Sequence, residues 1–297
     1  MRKYDLLVAN VRDALLLNAA FPLRHLAPLF GVRELGLNIR GFGKVIFRTD
    51  GSDATTLREI FRDQDFDVTR YPQGEDITTL YKAILEKQEI PIIIDAGANI
   101  GATAIWFAKA FPQAAVLAIE PGPRNADLCR RNTSSINAIT VIEAALGATV
   151  GQCSISNNKA QSWAFQTSRS DQGKIPIVTI PELAKSIPHG CLFAAKVDIE
   201  GFESDVFSYN TDWLDDLKFL FLEPHDWMLP GSHTSREFQK RVAQSDFELI
   251  VAGQNLLYVR AAILTKEGSI PHPARVNESY QPASREHMPR ARPGTSL

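Results

Sequence analysis

Along most of this chain, apolar residues fall into short blocks that alternate between two periods. Near the start they recur at Tyr4, Leu7, Val8, Val11, Leu15 and Leu16, a helical spacing that Pro22 and Pro28 then break. Residues 1–43 therefore read as a helical extension ahead of the main domain. That helix could pack on the domain, mediate dimerisation or lie on a membrane surface. Packing is the preferred reading, because its polar positions are mixed in sign and carry no basic stripe for lipid. Residues 44–50 read as a strand, and Thr55 to Phe61 as a helix capped by Ser52 or Asp53. Asp76 to Gln88 is a second amphipathic helix, closed by Pro91.

From residue 92 the alternation becomes regular. The β-branched run Ile92-Ile93-Ile94 leads into Asp95-Ala96-Gly97-Ala98-Asn99-Ile100-Gly101 and then into a helix from Ala102 to Phe111. Further strands are expected at 115–119, 140–145, 192–197, 218–222, 247–251 and 256–259, with helices at 123–136, 181–187, 202–209 and 234–244 between them. Strands alternating with helices imply an α/β fold with a mostly parallel, doubly wound sheet. Residues 151–156 suggest an added hairpin strand, and the polar stretch 157–175 a long loop. From 265 to 297 Pro, Arg, Ser, Glu and Gly dominate, which reads as a disordered tail after a domain spanning 44–264.

In such a sheet the ligand sits at the carboxyl ends of the strands. After the first strand the turn differs from a dinucleotide fingerprint, because Asp95 stands where G-x-G-x-x-G has its first glycine. A carboxylate would repel a pyrophosphate but attract a sulfonium or an ammonium. That sign favours S-adenosylmethionine over NAD. Gly97 and Gly101 supply the turn geometry, and Glu120, 19 positions beyond Gly101, is placed to accept two ribose hydroxyls. After the third strand, the small residues Ala144 and Ala145 leave room for an adenine ring, and backbone groups of Ala144 or Ala145 could bond its edge. After the fourth come Lys196, Asp198, Glu200 and Glu203, an acid cluster in which Asp198 would face the cofactor or the reacting centre. After the fifth come Glu223 and His225, with His225 placed to act as general base unless Asp226 merely fixes it. Asp198, Glu223 and His225 could also hold a divalent metal. No close-spaced ligand motif favours that, and no metal is expected.

Other totals narrow the partners. A formal net charge of −2 offers no global basic field for nucleic acid, and no apolar run is long enough for a transmembrane helix. The three cysteines, Cys129, Cys153 and Cys191, read as buried thiols of a cytoplasmic protein, and the interrupted N-terminal stretch does not read as a signal peptide. Oligomeric state stays open. Trp163, Phe165 and the segment Trp227 to His233 could cover the site.

The pieces Ile94–Gly101, Ile119-Glu120-Pro121, Lys196-Val197-Asp198-Ile199-Glu200-Gly201-Phe202-Glu203 and Leu222-Glu223-Pro224-His225, in this order, resemble the FkbM family of S-adenosylmethionine-dependent methyltransferases. Arg48 with Ser52-Asp53 resembles the family's lead-in, while Pro224 departs from its pattern. The resemblance implies a class I methyltransferase, Rossmann-like, seven-stranded sheet with its last strand antiparallel. It also implies methyl transfer to oxygen, on a hydroxyl of a sugar, glycan or polyketide-type metabolite. By position, Asp95, Gly97, Asn99 and Glu120 would hold the cofactor and Asp198 would lie beside it; the turn and strand-end readings above add Gly101 and Ala145. His225, then Asp198, would take the hydroxyl proton. Competing expectations are an NAD(P)-dependent oxidoreductase and a cofactor-binding scaffold without catalysis.

Overall fold

A computed structural model of the chain describes residues 3–155 and 167–264. The expected tail and the two aromatic residues Trp163 and Phe165 lie outside that range. The fold is organised by seven strands: β1 (Ile90–Ala96), β2 (Ala115–Ile119), β3 (Ile139–Ile142), β4 (Gly190–Val197), β5 (Phe219–Leu222), β6 (Phe247–Ala252) and β7 (Asn255–Arg260). They form one sheet in the order β6-β7-β5-β4-β1-β2-β3. The pairs among β1 to β5 are parallel, and β7 runs antiparallel to both β5 and β6. Seven strands with the last antiparallel to its neighbours is the sheet that the family resemblance implies. The strand order reverses between β4 and β1, so the loops after those two strands diverge and open a crevice there.

Alternation along β1 explains why the sheet is covered on both faces. Ile93 joins a cluster with Val116, Phe193, Phe219 and Phe221, whereas Ile92 and Ile94 join Leu117, Ile119, Leu220 and Leu222 on the opposite face. Helix α1 (Lys3–Leu16) lies outside the sheet, and its Asp13 is fully buried. That carboxylate accepts from Arg58 Nε and Nη2 (2.9 and 2.8 Å) and from Arg62 Nη1 (2.8 Å). A buried carboxylate enclosed by guanidinium groups pins α1 to the body of the domain. Among the described residues no helix is long and apolar enough to cross a membrane.

Four elements differ from the sequence reading. The extension over 1–43 is not helical throughout, because Glu34–Ile39 is a strand paired antiparallel with Gly43–Arg48. Its signal was the alternation Leu35, Leu37, Ile39. The strand expected at 140–145 is two pieces: β3 ends at Ile142, and Ala145–Leu146 leaves the main sheet to pair with Ile175–Val178. Thr167–Arg169, inside the expected loop, pairs with Gly151–Ile155. The helix expected at 202–209 shrinks to the single turn Glu203–Val206.

Candidate functional site

The crevice holds a cavity of about 620 Å³, lined by residues from the ends of β1, β2, β4 and β5. Helix α2 (Ala102–Ala110) starts beneath the first turn, and α3 (Pro123–Thr133) follows β2. Of the residues singled out by sequence, Gly97, Asn99, Glu120, Ala145, Asp198 and His225 line the cavity, while Asp95 and Gly101 lie behind it.

The first turn is built by close backbone approach. Gly97 has φ +78°, and a Cβ there would stand 1.8 Å from the Asp198 carbonyl oxygen. Only glycine lets the turns after β1 and β4 touch in this way. Asn99 is also left-handed, at φ 48°, a conformation that asparagine tolerates better than most residues. The bend turns its N–H onto Glu120 Oε2 at 2.9 Å. Gly101 caps α2, and a Cβ on it would meet Cys129 Sγ at 2.8 Å, so this glycine closes helix packing rather than facing the cavity.

Glu120 is 5% exposed and thoroughly wired. Besides Asn99, its Oε1 accepts from Gly122 N at 2.8 Å and from Asn125 Nδ2 at 3.2 Å. Burial pushes its pKa up, against the three hydrogen bonds that favour the carboxylate. Behind it, Arg48 grips the fully buried Asp53 through Nε and Nη2 (2.8 and 2.7 Å) and donates through Nη1 to Asn125 Oδ1 (2.8 Å). Asp53 is thus bound by arginine, and Ser52 makes no side-chain capping bond to its helix.

The β4–β5 end is acidic. Parallel register sets Lys196 beside Asp95, their charged atoms 3.6 Å apart with both side chains buried. Lys196 Nζ donates to Gly97 O at 2.9 Å and lies 3.1 Å from Asp198. Burial alone would depress the ammonium, but Asp198 and Asp95 outweigh it and hold its pKa above the ordinary lysine value. Among the described residues Asp95 accepts no hydrogen bond of standard geometry at its carboxylate oxygens, and burial pushes its pKa up against the Lys196 charge.

His225 is 2% exposed. Its Nδ1 lies 2.8 Å from Glu203 Oε1, and its Nε2 lies 3.5 Å from both Asp198 Oδ1 and Glu200 Oε2. The residue that fixes the ring is therefore Glu203 and not the neighbouring Asp226, whose Oδ1 faces the Ser235 N–H. Burial works against the charged ring, yet Glu203, Asp198 and Glu200 together raise its pKa to about 9. In this arrangement the imidazole holds its proton at neutral pH. Glu200 is pushed to about 8 by burial and by Asp198, and burial with Asp198 also raises Glu223. Glu59 faces the same space, raised by burial and by Asp65.

Sequence reasoning left out Asn125 and Glu59, and it placed Glu203 in the acid cluster without its role on His225. Asn125 stands five positions after Glu120, in the first turn of α3. The role of Glu203 and the approach of Glu59 depend on tertiary placement and leave no local signal.

Residues 95–234 match the methyltransferase FkbM domain model. Methyltransferase sdnD of Sordaria araneosa is 29% identical over 126 residues, 42% of this chain and 35% of that protein. 2-O-methyltransferase NoeI of Sinorhizobium fredii is 26% identical over 164 residues, covering 48% of this chain and 67% of its own length. The match thus spans about a third of sdnD and two thirds of NoeI. Among solved structures, SAH-bound Podospora anserina methyltransferase PaMTH1 aligns with a TM-score of 0.37 at 11% identity, over 66% of this chain and 84% of that one. Precorrin-6y C5,15-methyltransferase from Geobacter metallireducens aligns with 0.34 at 15% identity, over 62% and 88%.

Proposed function

Because residues 95–234 match the methyltransferase FkbM domain model, we propose that the chain transfers a methyl group from S-adenosylmethionine to a hydroxyl oxygen of a sugar, glycan or polyketide-type acceptor. The observation that carries this reading is one cavity with two unlike ends. A hydrogen-bonded carboxylate stands after β2, and a carboxylate–histidine cluster stands after β4 and β5. NoeI, a 2-O-methyltransferase, supports oxygen as the acceptor atom.

The residues fit the cofactor. Glu120 is buried, faces the cavity, and among the described residues has no cation among its hydrogen-bond donors, so it suits a pair of ribose hydroxyls. Gly97 and Asn99 form a bent backbone beside it, Ala145 offers a small surface for the base, and Asp198 supplies negative charge near the sulfonium side. Asp95 and Gly101 act from behind, by holding Lys196 and the start of α2. The cofactor supplies an electrophilic methyl whose sulfur leaves as a neutral thioether.

The chain's own contribution is alignment and proton removal. The acceptor hydroxyl would sit at the Asp198–Glu200–His225 corner. His225, aimed by Glu203, is placed beside that hydroxyl but already holds a proton. Asp198, partly exposed and lining the cavity, is the group positioned to receive the hydroxyl proton, and His225 balances the charge this leaves.

The test is isothermal titration with S-adenosylmethionine, S-adenosylhomocysteine and NADH in parallel. Micromolar binding of the two sulfur ligands without an NADH signal is expected. Binding of NADH alone would overturn the reading in favour of an oxidoreductase.

A further inference from the structure

We infer that Asp198, Glu200 and His225 form a binding site for one divalent transition-metal cation at the acceptor end of the cavity. What the cation would do rests on the methyl-transfer reading above, but that it binds does not.

The geometry comes first. One donor atom from each of the three residues lies within 4.8 Å of the other two. His225 Nε2 is 3.5 Å from Asp198 Oδ1 and 3.5 Å from Glu200 Oε2. Those separations are too long for good hydrogen bonds. They match two ligands sharing one ion, since bonds of about 2.1 Å at tetrahedral angles place ligand atoms ~3.4 Å apart.

Orientation is the second, independent observation. His225 is nine-tenths and more buried, and its Nδ1 is engaged by Glu203 at 2.8 Å. Glu203 is itself fully buried, and Oε1 also accepts from Ile199 N and Gly201 N at 3.4 and 3.3 Å. The ring therefore cannot swing away, and Nε2, which makes no hydrogen bond among the described residues, points into the gap between two carboxylates, where a cation would take the place of the Nε2 proton. A histidine ligand whose other nitrogen is held by a carboxylate is the usual outer support of a metal site. Sequence reading placed Glu223 in the ligand set; the folded loop brings Glu200 instead.

The donor set narrows the ion. One imidazole nitrogen with two carboxylate oxygens suits manganese, iron, cobalt or zinc better than magnesium, which prefers oxygen alone. All three residues line the cavity, so coordination positions remain open toward it. A cation there would bind the acceptor hydroxyl directly and make it more acidic, with no change in the chain's covalent state.

The experiment uses the full chain, freed of metal with EDTA and titrated with MnCl2. Free Mn2+ is followed by electron paramagnetic resonance, and S-adenosylhomocysteine binding is measured on the same samples. One Mn2+ should bind per chain, ZnCl2 should displace it, and MgCl2 should compete poorly. Glu200→Gln, in a partly exposed loop, and His225→Asn should each weaken Mn2+ binding by about tenfold or more. Either variant suffices if the other does not fold. An undiminished free Mn2+ signal with protein that still binds S-adenosylhomocysteine would overturn the metal site alone. Mn2+ binding that neither substitution weakens would overturn it as well. Mn2+ bound tightly by protein that ignores S-adenosylhomocysteine would sustain the site and overturn the methyl-transfer reading.

Discussion

The two ends of the cavity treat their carboxylates in opposite ways. After β2, a single buried carboxylate, Glu120, receives three hydrogen bonds, and Arg48, Asp53 and Asn125 brace it from behind. After β4 and β5, Asp198, Glu200 and Glu223 crowd one imidazole and one ammonium, and burial lifts the pKa of Glu200 and Glu223. A satisfied network is rigid and ready to recognise a neutral diol. An acid crowd is costly as it stands and relaxes when positive charge arrives. The first end is built to hold a constant ligand, and the second to respond to one.

The contrast breaks most severely where the two ends touch. Gly97→Ala would drive a Cβ to within 1.8 Å of the Asp198 carbonyl oxygen, at a positive φ. It should cost about 4 kcal/mol or more of stability and abolish S-adenosylhomocysteine binding, both read by thermal unfolding with and without ligand. A soluble variant with normal melting and normal binding would mean that the turns after β1 and β4 are not locked together. Next in size is Arg48→Ala. It strands the fully buried Asp53 and removes the Arg48 donor from Asn125 Oδ1, and should cost about 3 kcal/mol in denaturant unfolding. Its effect on Mn2+ binding should be negligible, because the network lies wholly at the other end.

The sequence showed the wired end more fully than the charged one. Gly97 and Glu120 are legible because a buried strand, a glycine turn and an acid about 20 positions on form a local pattern set by backbone geometry, whereas Asn99 enters only through the family resemblance. Asp198 and His225 are legible as strand-end residues. What joins them is not: the Lys196–Asp95 pair follows from the register of strands a hundred residues apart, and His225 is fixed by Glu203 across two loops instead of by its sequence neighbour Asp226. The fold's core was readable from periodicity, whereas the break after Ile142 was not, because one apolar run serves two sheets.

Glu120→Ala sharpens the comparison within the ligand itself. The change removes the diol's acceptor and leaves Asn99 N and Gly122 N without their partner. It should weaken S-adenosylmethionine by about 1.5–3 kcal/mol, roughly 10- to 100-fold, in a calorimetric titration. Mn2+ affinity should stay within about twofold, an effect of ~0.4 kcal/mol. Unchanged cofactor affinity would remove Glu120 from recognition, and a matched loss of Mn2+ would show that the two ends are one unit.

The smallest expected effect isolates backbone from side chain at Asn99. Its N–H reaches Glu120 at 2.9 Å, whereas its Oδ1 meets Arg48 only at 3.4 Å. If the backbone does the work, Asn99→Gly should keep the N–H in place, tolerate φ 48° without strain, and leave cofactor affinity within about 0.5 kcal/mol of the parent. Asn99→Ala places an unsuited residue in the same left-handed conformation and should cost about 1 kcal/mol of stability. Measured side by side by chemical denaturation and titration, the pair gives opposite signatures for the two accounts. A Gly variant that binds as tightly as the parent, beside a less stable Ala variant, assigns the role to the turn. A Gly variant with tenfold weaker binding would assign it to the amide side chain, and the wired end would then depend on one more side chain than its hydrogen bonds imply.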